Sequence, residues 1–307
     1  MIEDLLVILS MTTTSMTPIL LASVGEILTE RSGVVNIGIE GIFILSSFIA
    51  TLATFYIGDP YIGLLLGVLI GFLSGLTHGV LAVYLRADQI IMGVGYNLLA
   101  YGLAVVGLVA VWSSHGASPT LPEKTGFISF YVGKQLIIIQ PLAIVAVGLA
   151  ILMWYVLEKT SLGLRIKACG EDPRSAEANG VNVYMIRILA TSIGGALAGL
   201  GGAYLTVSWI GQFTRSISAG RGFIALANVA FSNWNPLTAI LGALIFGFFD
   251  VLSLYIPIKL SLLYGVVLSS QNYLFLTIPY VATLIVVAFI SKRIRMPRSL
   301  GQVYIKE

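Results

Sequence analysis

Apolar runs of about 20 residues, each bounded by polar or charged clusters, recur along the whole chain. At 1.5 Å per residue a helix of about that length crosses a hydrocarbon core roughly 30 Å thick. Seven runs qualify: Asp4 to Val24, Gly33 to Tyr56, Ile62 to Leu85, Ile90 to Trp112, Leu136 to Leu157, Val183 to Val207 and Pro236 to Ile256. An eighth, Tyr273 to Ile290, closes the chain. Between the sixth and seventh lies Gly222 to Ser232, too short to span as regular helix, so it is either a broken crossing or a re-entrant segment. The pattern predicts an all-α polytopic membrane protein of eight to nine transmembrane helices plus this short piece.

Composition agrees. Of 307 residues, 57% are hydrophobic and only 10% charged, with a mean hydropathy of +0.96. An ordinary soluble domain is roughly a quarter charged, so a soluble domain on a single anchor is excluded and one membrane domain over 1–307 is expected. A single cysteine, Cys169, cannot form an internal disulfide. Glu3 and Asp4 stand where a cleaved signal would carry basic residues, so the first span is expected to remain.

The net charge is only +3, but the cations cluster at the ends of the apolar runs. Cytoplasmic loops retain Lys and Arg. With nine crossings and the C-terminus inside, Arg31, Arg86, Lys159, Arg165, Lys167, Arg174, Arg187, Lys292, Arg293, Arg295, Arg298 and Lys306 fall inside. Lys124, Lys134, Arg215, Arg221 and Lys259 fall outside, with the N-terminus. If the short piece re-enters instead, the basic 159–187 loop moves outside, which the rule disfavours. A weak internal similarity agrees with nine crossings: Asp59-Pro60 and the run after it resemble Asn235-Pro236 and its run, with Gly71-Phe72 falling on Gly247-Phe248. Those copies lie in opposite directions, the inverted pairing from which transporter folds are built.

Small residues mark helix contacts in lipid. The third span carries Gly63, Gly67, Gly71, Gly75 and Gly79 at spacing four; the sixth carries Gly194, Gly195, Ala198, Gly199, Gly201 and Gly202. These faces are either sliding surfaces or static packing. Ionisable groups within spans are costly and few. Asn36, Glu40, Asn97 and Asp250 are the candidates for a polar solute pathway, the alternative being hydrogen bonds that hold helices together. Asn36 is placed one helical turn below Glu40. Ser74 and His78, also one turn apart, lack a second activating group, which argues against an intramembrane hydrolase.

The longest polar stretch, Glu158 to Asn182, contains Asp172-Pro173, then RSAEAN, then Gly180. An Asp cap, Pro at the first helical position and a Gly stop predict a short helix suited to docking a cytoplasmic partner. No G-x-x-x-x-G-K-[ST] occurs, since Gly133-Lys134 lacks the flanking pattern, so any ATP is hydrolysed elsewhere. One Cys and two distant His offer no metal cluster, and cations without interleaved aromatics offer no nucleic-acid surface. No metal or cofactor is expected.

Three stretches carry a family resemblance: EILTERSGVVNIGIEGIFILSSF (Glu26 to Phe48), GLRIKACGEDPRSAEANGVNV (Gly163 to Val183) and GRGFIALANVAFSNWNPLTAILGALIFGFFD (Gly220 to Asp250). In that order they resemble the sugar, nucleoside and branched-chain amino-acid permeases of ABC importers, most closely the smaller permease of nucleoside importers that work with basic-membrane-type lipoproteins. Ser232-Asn233 departs from the Gly-Arg that often precedes the Trp-Asn-Pro of the family. The resemblance implies an inverted-repeat permease bundle in a bacterial plasma membrane, in contact with lipid. It further implies cytoplasmic ABC ATPase subunits, a second identical or paralogous permease, and an extracytoplasmic solute-binding protein or lipoprotein. By matching position, Gly170, Asp172, Pro173, Ala176, Ala178 and Gly180 form the ATPase-coupling helix. The expected function is alternating-access import of a small polar solute, nucleoside first, simple sugar second and branched-chain amino acid third. An ion-driven secondary transporter using Glu40 and Asp250 for protons is the rival from another class.

Overall fold

The computed structural model describes residues 2–132, 135–264, 272–290 and 295–305. Helices α1 (Ile2–Arg31), α2 (Ile39–Ile57), α3 (Pro60–Val83) and α4 (Gln89–Trp112) lead to an antiparallel hairpin, β1 (Ile128–Val132) and β2 (Gln135–Ile139). Then come α5 (Pro141–Lys159), the short α6 (Ser161–Glu171) and α7 (Pro173–Ala178), and α8 (Val183–Tyr204), which runs on into a π-helical turn, Leu205–Ile210. The half-length α9 (Arg221–Phe231) precedes α10 (Pro236–Tyr264), α11 (Asn272–Phe275) and α12 (Ile278–Ile290). Among the described residues, seven helices are long and apolar enough to cross a membrane: α1 to α5, α8 with its π turn, and α10. The chain is an all-α polytopic membrane protein.

Local chemistry explains where the helices begin. Asp59, Asp88, Thr160, Asp172 and Asn182 each accept a hydrogen bond from a first-turn N–H of the helix that follows. Pro60, Pro141, Pro173 and Pro236 open their helices at the position where a missing N–H costs nothing.

At the centre α1 and α8 pack backbone to backbone. A Cβ added to Gly25 would lie 2.4 Å from the Gly194 carbonyl oxygen, and one added to Gly194 would lie 2.5 Å from that of Gly25. The two glycine stripes meet on the other side of α8, in the most extensive helix pair of the fold. A Cβ on Gly71 would sit 2.3 Å from the Gly195 oxygen, one on Gly75 2.3 Å from the Thr191 oxygen, and one on Gly199 2.5 Å from the Gly67 oxygen. Gly63 instead faces Ala50 and Thr54 of α2. Gly247 of α10 lies against the backbone of Met16 on α1. The order across the core is therefore α3, α8, α1, α10, and the units α1–α2–α3 and α8–α9–α10 run in opposite senses. Both similar dipeptides cap their helices: Asp59 accepts from Tyr61 N at 2.7 Å and Asn235 from Leu237 N at 2.9 Å.

The short apolar piece crosses. Gly211 and Phe213 hydrogen-bond through their carbonyls to Leu121 and Ser118, in the loop after α4, whereas Trp234 accepts a bond from Arg31 at the far end of α1. Residues 211–220 thus descend irregularly into the bundle and α9 completes the passage.

Several expected boundaries shift. α1 continues past Val24 to Arg31 because Glu26 and Glu30 are buried with partners: Asn36 N donates to Glu26 (2.8 Å) and Trp234 Nε1 to Glu30 (2.5 Å). The second span begins at Ile39, not Gly33, since Gly33 has φ +96° and residues 34–36 are not helical. Asn36 is therefore not one turn below Glu40. Pro141 starts α5, so Leu136 to Gln140 leaves the fifth span and most of it joins the hairpin. The closing run is divided between α11 and α12. Arg221, expected at an outer flank, is buried. Lys134, Lys292, Arg293 and Lys306 lie outside the described residues.

Candidate functional site

The polar residues inside the bundle converge around two breaks in the helices. The first break is 32–38, before α2. Asn36 Oδ1 accepts from Gly38 N (2.9 Å), forming the local turn that lets α2 start deep in the bundle. Asn97 of α4 closes the same turn from the side: its Oδ1 accepts from Gly41 N (2.7 Å) and its Nδ2 donates to the Ile37 carbonyl (3.0 Å). His78 Nε2 lies 2.8 Å from the Val35 carbonyl, while Ser74 pairs with Tyr96, so Ser74 and His78 have separate partners.

The second break is 211–220, before α9. Glu40, in the first turn of α2, accepts from Gly220 N (2.9 Å) and Gly222 N (2.8 Å). One carboxylate thus serves the N-termini of two helices, where the backbone dipoles favour negative charge. A Cβ on Gly222 would lie 2.6 Å from Glu40 Oε2, so the glycine is what admits this contact. Arg221, between the two donors, turns the other way and pairs with Asp250 of α10 at 2.8 Å. Asp250 also accepts from Ser15 of α1 (2.5 Å), and the Arg221 guanidinium lies 4.9 Å from the Trp209 ring centre. Glu40 and Asp250 therefore clamp opposite sides of residues 220–222, and Asn36 and Asn97 fix the turn beneath Glu40.

At the end of the bundle remote from the hairpin lies the 161–182 segment. Asp172 caps α7 through Arg174 N and Ser175 N (each 3.1 Å) and accepts from the Ser175 hydroxyl; that hydroxyl and those N–H groups hold its carboxyl below the usual range. Pro173 opens the helix, Ala176 is buried beneath it and Ala178 is exposed. Gly180 takes φ +80° to end it, with Val181 N bonded back to the Ala176 carbonyl. Gly170 lies against the end of α1, where a Cβ would come 2.2 Å from the Arg31 oxygen. Buried Cys169 is inert, since burial pushes its thiol up to about 11. A groove of about 520 Å³ runs along α6 and α7, bordered by Leu164, Arg165, Asp172 and Asn179, and Leu164 is 68% exposed.

The C-terminal residues 295–305 bind this segment to the core. Ser299 N donates to the Gly170 carbonyl (2.8 Å) and Gly301 N to that of Gly33 (3.0 Å). Arg187 donates to the carbonyls of Ser32, Cys169 and Gln302. Tyr304 donates to Glu177, whose carboxylate pushes the phenol up to about 12. Sequence reasoning missed Arg187 and Arg221 as buried cations and Glu26 and Glu30 as buried carboxyl groups. The one signal was the one-turn spacing of the two glutamates.

A bundle with a discontinuous helix at each of two inverted positions, polar groups at mid-depth and a capped surface helix at one end defines a membrane transport subunit. Residues 8–288 match the family described as branched-chain amino acid transport system, permease component. The chain belongs to that permease family. It is 35% identical to the nucleoside ABC transporter permease protein NupC of Lactococcus lactis over 94% of each chain. It is 34% identical to the guanosine ABC transporter permease protein NupQ of Bacillus subtilis, over 99% of this chain and 98% of that one. A Haloferax volcanii permease named for glucose transport, TsgC13, is 31% identical over 98% of each. No solved structure matches the chain.

Proposed function

We propose that this chain is a transmembrane subunit of an ATP-driven importer of nucleosides, working by alternating access. The observation that carries the reading is its similarity, over almost its whole length, to two permeases named for nucleoside and guanosine transport. Those organisms each hold a second relative named for the same solute, NupB and NupP, to which this chain is only 24% identical over about three quarters of its length. A paralogous second permease is therefore the proposed partner, with a solute-binding lipoprotein on one side and ABC ATPases on the other. Simple sugar is the second reading, favoured by the glucose-named relative.

The whole of 1–307 acts as one permease domain of a bacterial plasma membrane, with residues of about 158–183 as its coupling loop. The face holding α6, α7 and the C-terminal residues is cytoplasmic and the hairpin face is external, together with the N-terminus. Gly170, Asp172, Pro173, Ala176, Ala178 and Gly180 form the coupling helix that receives the ATPase stroke. Gly170 gives close contact with α1, and α1 passes the displacement to the core. Glu40, Asp250, Asn36 and Asn97 set the position of the two broken helices along the solute path.

The test is uptake by the assembled complex carrying Asp172→Arg or Gly180→Pro. The first removes the cap and the second cannot adopt φ +80°. Both are expected to abolish uptake while insertion and thermal stability stay close to the parent. Parental uptake in either assembled variant overturns the coupling assignment.

A further inference from the structure

A cavity of about 310 Å³ lies on the hairpin side of the Arg221–Asp250 pair, within one chain. Its walls come from α1 (Thr14), the loop before β1 (Phe127), the cap of α5 (Gln140), the π-helical turn (Ser208, Trp209) and α10 (Val251). The volume is in the range of small-molecule sites, about 300–1,000 Å³. Π-turns often mark functional positions, because the extra residue frees backbone geometry at a cost in regularity.

Two wall residues each carry a buried polar atom with no hydrogen-bond partner, Gln140 Oε1 and Ser208 Oγ, and an occupant of the cavity meets these atoms once the two side chains turn toward it. Gln140 is 7% exposed and Ser208 2%. An unsatisfied buried polar group costs about 1–3 kcal/mol, so such a pair bordering one cavity points to an occupant that satisfies both. Gln140 Oε1 is an acceptor only and needs a donor, which an N–H can supply, whereas the Ser208 hydroxyl can donate to a carbonyl. Trp209 and Phe127 supply aromatic surface for a planar group.

We propose that this cavity is an intrasubunit docking site for a nucleobase carrying adjacent N–H and C=O groups, a lactam edge, held by Gln140 and Ser208 and packed against Trp209. The proposal rests on the nucleoside reading above and adds where and by which edge the base is held. The site is wired to the centre of the bundle. Trp209 stacks on Arg221, Val251 follows Asp250, and Thr14 precedes Ser15, which donates to Asp250. An occupant therefore touches the neighbours of all three members of the charge cluster that fixes residues 220–222.

The test is equilibrium binding of radiolabelled inosine to the full chain in lipid nanodiscs, with purine riboside, which has the same sugar and no lactam, and ribose as competitors. Inosine is expected to bind about tenfold more tightly than purine riboside, with no competition by ribose; this comparison needs no variant. Gln140→Leu and Ser208→Ala are each expected to weaken inosine binding about three- to tenfold, and Ser208→Thr to retain it. Equal affinity for inosine and purine riboside, binding unchanged in both variants, or no inosine binding by the parent overturns the site. Uptake by the assembled complex separates the two readings. Parental nucleoside uptake in Gln140→Leu and Ser208→Ala overturns the docking site and leaves the importer reading standing. A parent complex that imports glucose and no nucleoside overturns the importer's solute and the site with it.

Discussion

Replacing Gly71 with alanine should loosen the core more than any other single methyl group added to α3. The new Cβ would lie 2.3 Å from the Gly195 oxygen and 2.6 Å from the Gly199 Cα, both backbone atoms that no rotamer change can move. Restoring ordinary contact at 3.4 Å requires α3 and α8 to part by about 1.1 Å along that line. The separation also opens the neighbouring contacts of Gly67 with Ala203 and of Gly75 with Thr191. Overpacking costs about 1–3 kcal/mol, and a rigid backbone neighbour puts this site at the upper end. In lipid no hydrophobic drive recovers the lost contact. At about 2 °C per kcal/mol for a chain of this size, Tm should fall by roughly 5 °C. Gly102 and Gly148 have nothing within 4 Å of an added Cβ and serve as controls; alanine there should be neutral or slightly stabilising. The assay is thermal unfolding in nanodiscs, read by a thiol-reactive dye, because buried Cys169 is the one cysteine and reports exposure of the core. Gly71→Ala and Gly195→Ala melting within 1 °C of the parent would refute the backbone-contact account.

Removing one member of the Arg221–Asp250 pair leaves an uncompensated buried charge, so Asp250→Leu should cost about 3–5 kcal/mol, while Arg221→Met/Asp250→Leu should regain most of it in the same melting assay. Cys169 should resist alkylation in the folded protein, with a thiolate fraction about 100-fold below that of a thiol at its ordinary value of 9.0, and its labelling rate should climb steeply only as pH approaches about 11. Asp172 has a lowered pKa, so its cap contributes fully above the ordinary carboxylate value of 3.8 and is lost as pH falls through the lower folded value. Amide exchange at Arg174 and Ser175, corrected for intrinsic rates, should therefore show unchanged protection from pH 7 to pH 5; progressive loss across that window would contradict the cap.

The spans, the proline-led helix starts and the two glycine faces were legible because each depends on local spacing. The capped helix at 173–178 was legible for the same reason: Asp172, Pro173 and Gly180 act on their own neighbours. The hairpin was not, because Leu136 to Ile139 is as apolar as the helix after it, and only Pro141 marked the change. Helix α1 looked finished at Val24 because its next turns carry Glu26 and Glu30. Their partners come from the break before α2 and from Trp234, some 200 residues away, which no local pattern encodes. Arg221 looked like a flanking cation because Asp250 and Trp209 reach it only through the fold. The polar quartet was legible as residues but not as an arrangement. Glu40 and Asp250 meet around 220–222 because two broken helices bring their starts to the same depth.

Uptake in proteoliposomes bears most directly on the account. The chain is reconstituted with the proposed partners, a paralogous permease, ATPases and a binding lipoprotein, and labelled guanosine is followed with and without ATP and with a protonophore. The account predicts accumulation that requires ATP and is indifferent to the protonophore. Accumulation that survives without ATP and collapses with the protonophore would contradict it, and would return Glu40 and Asp250 to the role of proton carriers.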